Sequence, residues 1–199
     1  MRLRRTMPLL AVLLVTVGCT SPAVEPPGLE ATPTATPSVS ASPTPRADGI
    51  LEESDPALGV VLEGVPALTG DEADVYDTIA AYEKEYWRTM TTNSLSPGFE
   101  VLASPELQTV MERVATNNGN NGITVDGTYR VSISDVGLAG DGTATAVVCS
   151  DYLGATFADP DGTYTPAEVG FGERQRFVVT LRDAGPTWQL STSGRDGTC

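Results

Sequence analysis

The sequence predicts an α+β domain in which two N-terminal helices cover one face of an antiparallel sheet of about four to five strands. Three observations predict it. An apolar stripe with a 3.6-residue period starts after Asp71, a second stripe follows Ser104, and the period changes to two from Tyr129 onward.

In the first helix Val75, Tyr76, Ile79, Ala80, Tyr82, Tyr86, Trp87 and Met90 gather into one broad sector at 100° per residue. Asp74, Asp77, Ala81, Glu85 and Arg88 fall opposite. Acidic Asp71, Glu72 and Asp74 complement the dipole in the first turn. Asn93 and Pro97-Gly98 end the pattern. The second helix takes Ser104 as N-cap and Pro105 as its first residue, and its stripe is Leu107, Val110, Met111, Val114 and Ala115. The run Asn117-Asn118-Gly119-Asn120-Asn121-Gly122 is expected to be a loop.

Beyond it, Tyr129, Val131 and Ile133 alternate with Arg130, Ser132 and Ser134, and Asp141-Gly142 makes a hairpin turn into a strand over residues 143–152. A polar loop with Asp159-Pro160-Asp161-Gly162 follows. Residues 175–181, with Phe177, Val179 and Leu181 on one face, and residues 188–192 form a second hairpin across Asp183-Ala184-Gly185-Pro186.

Upstream of this domain, residues 71–199, lie three segments of different character. Residues 1–18 carry Arg2, Arg4 and Arg5 ahead of an apolar run from Leu9 to Val17, the charge and length of a signal peptide and too short to span a bilayer. The run closes on Thr16-Val17-Gly18-Cys19, which resembles the bacterial lipobox, with Val15 or Thr16 where leucine is commoner. That resemblance implies cleavage before Cys19, a lipid (diacylglycerol with palmitate-like chains) on its thiol, and residence at the extracytoplasmic face of the cell membrane. An ordinary signal peptide with Cys19 incidental is the competing reading, and Arg4-Arg5-Thr6-Met7 lacks the rest of a twin-arginine signal.

Residues 19–47 repeat Thr, Ser, Ala and Pro with almost no large apolar side chain, so they are read as a disordered tether. In polyproline form at about 3.1 Å per residue, the stretch from Ser21 to Arg46 reaches roughly 80 Å. Its composition also resembles O-glycosylated stalks. Residues 48–70 read as an acidic transition, partly ordered, with Gly59-Val60-Val61-Leu62 as a short apolar patch.

The chain of 199 residues has room for one such domain. It holds 12 basic and 26 acidic residues; removal of residues 1–18 takes three arginines and leaves 9 against 26, a balance of −17. Nucleic-acid binding is therefore not expected, because phosphate neutralisation needs clustered Lys and Arg. Lys84 stands alone among eleven arginines, a bias of GC-rich genomes that hints at an actinobacterium. If Cys19 is lipidated, Cys149 and Cys199 remain as a pair outside the cytoplasm, where a disulfide is favoured over two free thiols.

The chain has no histidine, which eliminates Ser-His-Asp and Cys-His catalysis and histidine-ligated metals. Gly170-Phe171-Gly172-Glu173 starts like a dinucleotide fingerprint but lacks the third glycine and the following helix. Asp159, Asp161 and Glu168 lack the glycine and terminal acid of a calcium loop and read as a solvated turn. No cofactor or metal is expected. Glu83 is the local oddity, since it falls inside the apolar sector of the first helix, where a carboxylate is costly unless paired, hydrated or protonated. It reads either as a polar group of a ligand pocket flanked by Tyr82, Tyr86 and Trp87, or as an ion pair with Arg174, Arg176 or Arg182. The aromatic residues beside it read as core or as ligand contacts.

The helix Ala80-Ala81-Tyr82-Glu83-Lys84-Glu85-Tyr86-Trp87, the strand Thr145-Ala146-Val147-Val148-Cys149-Ser150-Asp151 and the terminal Trp188-Gln189-Leu190 ending at Cys199 together resemble the NTF2-like superfamily (SnoaL-like, cystatin-like cone), in particular actinobacterial envelope lipoproteins. The resemblance implies a curved sheet, a pocket between its concave face and the helices, and a bridge from the central strand to the C-terminus. It implies no reaction, since the fold serves isomerases, dehydratases, assembly modules and binders alike.

The functional expectation is a non-catalytic envelope module that binds a small apolar ligand or an envelope protein. Two others stand beside it: an isomerase- or dehydratase-like enzyme using Glu83 with Tyr82 or Tyr86, and a structural subunit docking on a membrane-associated complex through its sheet.

Overall fold

The structure is a computed structural model, and it describes residues 51–199. The expected signal peptide, Cys19 and the tether lie outside the described residues.

The elements run β1 (Val60–Glu63), α1 (Asp71–Thr92), α2 (Phe99–Leu102), α3 (Pro105–Asn120), β2 (Thr124–Leu138), β3 (Thr143–Asp159), β4 (Gly162–Tyr164), β5 (Gln175–Asp183) and β6 (Trp188–Thr198). The class is α+β, with three helices and a mixed six-stranded sheet in place of two helices and four to five strands. The sheet order is β1-β2-β3-β5-β6, with β4 on the edge of β3.

Helix α1 starts and stops as its pattern dictates. Three acids occupy the first turn, and Asn93 takes the left-handed cap conformation, its N–H reaching the Thr89 carbonyl. Its apolar sector is buried against the sheet and α2. The one-turn α2 is an addition: Phe99, fully buried, meets Tyr82 edge-on at 5.1 Å. Ser104 caps α3, accepting from the Leu107 N–H. The Asn-Gly run is not a loop from Asn117, because α3 continues to Asn120, with Asn118 buried in its last turn. The chain reverses at Gly122, where φ is +64°.

The four strands read from alternation all exist, and each extends beyond its expected residues. The main hairpin, β2 with β3, continues past a bulge at Thr128/Arg130 to pair Val125 with Phe157 and Thr124 with Ala158. Asp159 then closes a tight turn, its carboxylate accepting from the N–H groups of Asp161 and Gly162 and from the Tyr164 hydroxyl. Its acidity is thus used for the turn that starts β4.

The main correction concerns the expected acidic transition, residues 48–70, of which 51–70 are described. Within them β1 is the parallel edge strand of the sheet, with Val60 opposite Tyr129 and fully buried, so the part around β1 belongs to the folded domain. A closed turn from Asp55 to Val60, with both backbone bonds at 2.9 Å, precedes it. Gly59 makes the approach possible: a side chain there would put Cβ 2.4 Å from the Gly127 carbonyl oxygen.

Helices cover one face of the sheet, and Val60, Leu62, Val131, Ile133, Val148, Val179, Leu181 and Leu190 fill the space between. The other face carries ion pairs. Arg174 bridges Asp151 and Glu63, each at 3.0 Å, while Arg130 reaches Glu63 and Arg176 pairs with Asp196. A disulfide joins Cys149 to Cys199 with Cα atoms 6.2 Å apart, tying β3 to the chain end across β5.

Candidate functional site

Helix α1 carries Glu83 on the same face as Ile79 and Trp87, and that face lies on β2, so the carboxyl group is delivered to the middle of the covered sheet face. It does not meet an arginine. Arg174 and Arg176 are committed to acids elsewhere, and Arg182 is exposed. The ion-pair reading of Glu83 is thereby replaced: the Tyr129 hydroxyl, from β2, donates to Glu83 Oε2 at 2.6 Å. With that proton given, Tyr129 accepts from the Ser150 hydroxyl of β3 at 2.8 Å.

Around this chain of three groups stands a shell of aromatic rings. Trp87 stacks on Tyr129 with centroids 5.1 Å apart, and Tyr152 lies 5.0 Å from Tyr129. The Tyr86 and Tyr152 hydroxyls share a hydrogen bond of 3.0 Å. Phe171, from the loop between β4 and β5, covers Tyr152 at 4.6 Å and stacks on Phe157 at 5.4 Å. The indole Nε1 of Trp87 is buried with no partner among the described residues.

Burial sets the electrostatics. Glu83, only 7% exposed, has its pKa pushed up to about 7 by desolvation, and the Tyr129 hydrogen bond pulls it partly back. Desolvation also raises Tyr86 to about 12, and drives Tyr82, Tyr129 and Tyr152 upward, the negative field of Glu83 adding to each. Near neutral pH the site therefore offers tyrosine hydroxyls as neutral donors and a carboxyl group poised between its two forms.

Of the four residues singled out in the sequence, Glu83, Tyr86 and Trp87 meet in this cluster. Tyr82 turns to Phe99 and is core. Tyr129, Ser150, Tyr152 and Phe171 complete the cluster and are not marked as site residues by the sequence pattern. One signal was present: Ser150 is in phase with inward-facing Ala146 and Val148, a polar side chain on an apolar face, as Glu83 is on its helix. Among the described residues no cluster of acids and cysteines is arranged to hold a metal ion, and no helix is long and apolar enough to cross a membrane.

No family model matches the chain, and no curated protein does. Among solved structures, the intermembrane-space region of the chloroplast protein ARC6 is similar in fold, with a TM-score of 0.50 at 11% identity over 65% of this chain and 98% of that one. At that identity the likeness concerns the fold alone.

Proposed function

We propose that this protein is an extracytoplasmic lipoprotein, anchored to the cell membrane through Cys19, whose NTF2-like cone domain binds a small apolar ligand without transforming it. One observation carries the binding reading: Glu83 sits in an aromatic shell held by a tyrosine hydroxyl and by no cation among the described residues. A mostly apolar recess with a few convergent hydrogen-bonding groups is the usual make-up of a small-molecule site. The ligand class that matches is an apolar body with one hydroxyl or carbonyl oxygen. The lipobox-like run at Cys19 and the Pro-rich stretch after it support the anchor and the stand-off from the membrane.

The acid-base alternative has its own observation, the upward shift of Glu83 to about 7, in the range where a carboxyl group both accepts and returns a proton. Docking through the open sheet face has less in its favour, because paired charges line that face.

The test is to purify the full chain from the envelope of a bacterial host, extract it with organic solvent and identify what is released. A stoichiometric apolar small molecule, returned unchanged after incubation with the protein, and a mature N-terminus acylated at Cys19 are expected. Release of phospholipid and detergent alone overturns the binding reading; a converted molecule favours the enzyme; an unprocessed N-terminus overturns the anchor.

A further inference from the structure

We propose that residues 165–172 form a lid whose Phe171 ring plugs a binding site for a flat, oxygen-bearing apolar ring. This rests on the ligand-binding reading above and adds how that site is opened and what shape it takes.

The turn holds its own shape. Thr165 donates from both its N–H and its hydroxyl to Glu168 Oε2 at 2.7 Å, Glu168 N–H returns to the Thr165 carbonyl, and Phe171 N–H reaches the Pro166 carbonyl at 2.7 Å. Gly172 closes the turn so tightly that a Cβ there would stand 3.0 Å from Ala167.

Its hold on the rest of the domain is light by comparison. Phe171 is half-buried while residues 167–170 are exposed, and Gln175 Nε2 reaches the Gly170 carbonyl at 3.3 Å. The turn also spans a gap in the sheet. On this edge of β3 the pairing with β5 stops at Ser150 and pairing with β4 starts at Phe157, so lifting the turn breaks no ladder hydrogen bond. Its ends stay fixed, by β4 on one side and by Arg174 with Asp151 and Glu63 on the other.

What lies beneath Phe171 defines the ligand. The ring rests on Tyr152 and Phe157, and Tyr152 carries the hydroxyl that is hydrogen-bonded to the Tyr86 hydroxyl. A planar ring system replaces Phe171 face for face, and an oxygen on its inner edge bonds to those hydroxyls. Phe171 thus acts as a resident stand-in, and ligand affinity is reduced by the fraction of time it occupies the site.

The experiment uses 2-naphthol, a flat fused ring with one hydroxyl, titrated into the full chain in detergent with empty micelles as baseline. Phe171→Ala is expected to bind it about tenfold more tightly than wild type, because the closed state no longer competes. Adding Tyr86→Phe is expected to remove part of that gain, whereas Val169→Ala, at the exposed tip, leaves affinity unchanged. Hydrogen exchange on the wild type gives a second readout that needs no variant to fold: amides of residues 166–172 exchange faster than those of the β3–β5 ladder and slow with 2-naphthol. Wild type binding the probe with Phe171→Ala no tighter, or turn amides as protected as the ladder, overturns the lid and leaves the binding reading standing. Failure of both proteins to bind overturns both.

Discussion

Glu83 illustrates how a single residue carries two kinds of information. Its place in the helical sector made it legible as an oddity in one dimension, because only the 3.6-residue period is needed to see it. Its partner was not legible, since Tyr129 lies 46 residues away and is brought opposite by the packing of α1 on β2. The pKa shift gives a signed prediction. A carboxyl group raised from 4.5 to about 7 takes up a proton more readily in the native chain than in the unfolded one, so its stabilising contribution is complete below pH 4.5 and is lost as pH rises through 7. The full span corresponds to about 3 kcal/mol. Urea midpoints of wild type and Glu83→Gln across pH 4 to 8 are expected to diverge in that sense; parallel curves would contradict the shift. Tyr129→Phe removes the donor while leaving Glu83 and Ser150 buried, and is expected to destabilise by about 2 kcal/mol in urea unfolding. It also raises the Glu83 titration further, which carboxyl NMR reads directly.

At the scale of elements, periodicity was informative in proportion to one-sided burial. Helix α1, the middle of β2 and the starts of β3 and β5 each present one apolar face, and each was legible. The distal half of β6 is exposed on both faces, so it has no alternation to read. Strand β1 is four residues long and its partner is β2, beyond all three helices, so nothing local distinguishes it from a linker. Bulges are equally invisible, and the one between Thr128 and Arg130 lies beside a glycine that brings β2 close to β3. Gly127 has φ +97°, and a Cβ on it would lie 2.5 Å from the Gly154 carbonyl oxygen. Gly127→Ala is therefore expected to cost about 3 kcal/mol or more, from backbone strain and from forcing β2 away from β3. A thermal melt within 1 kcal/mol of wild type would show that the bulge relaxes without cost.

Across the whole molecule, the disulfide and the buried cluster around Glu83 define what the domain is built to keep. The Cys149–Cys199 bond closes 50 residues of chain, for which loop entropy gives about 4 kcal/mol of stabilisation. Reduction, or Cys149→Ser with Cys199→Ser, is expected to lower the urea midpoint by a matching amount, and an unchanged midpoint would mean that β5 and β6 hold without the clamp. The proposed ligand site lies beneath Phe171, against Tyr86 and Tyr152, with Glu83 and Tyr129 behind them. The most direct test is native mass spectrometry of the full chain and its Glu83→Leu variant, purified side by side from the same envelope preparation and matched for cooperative unfolding. A small-molecule adduct is expected on the wild type that dissociates under mild activation and is depleted from Glu83→Leu. Equal occupancy in both proteins, or none in either, would contradict it.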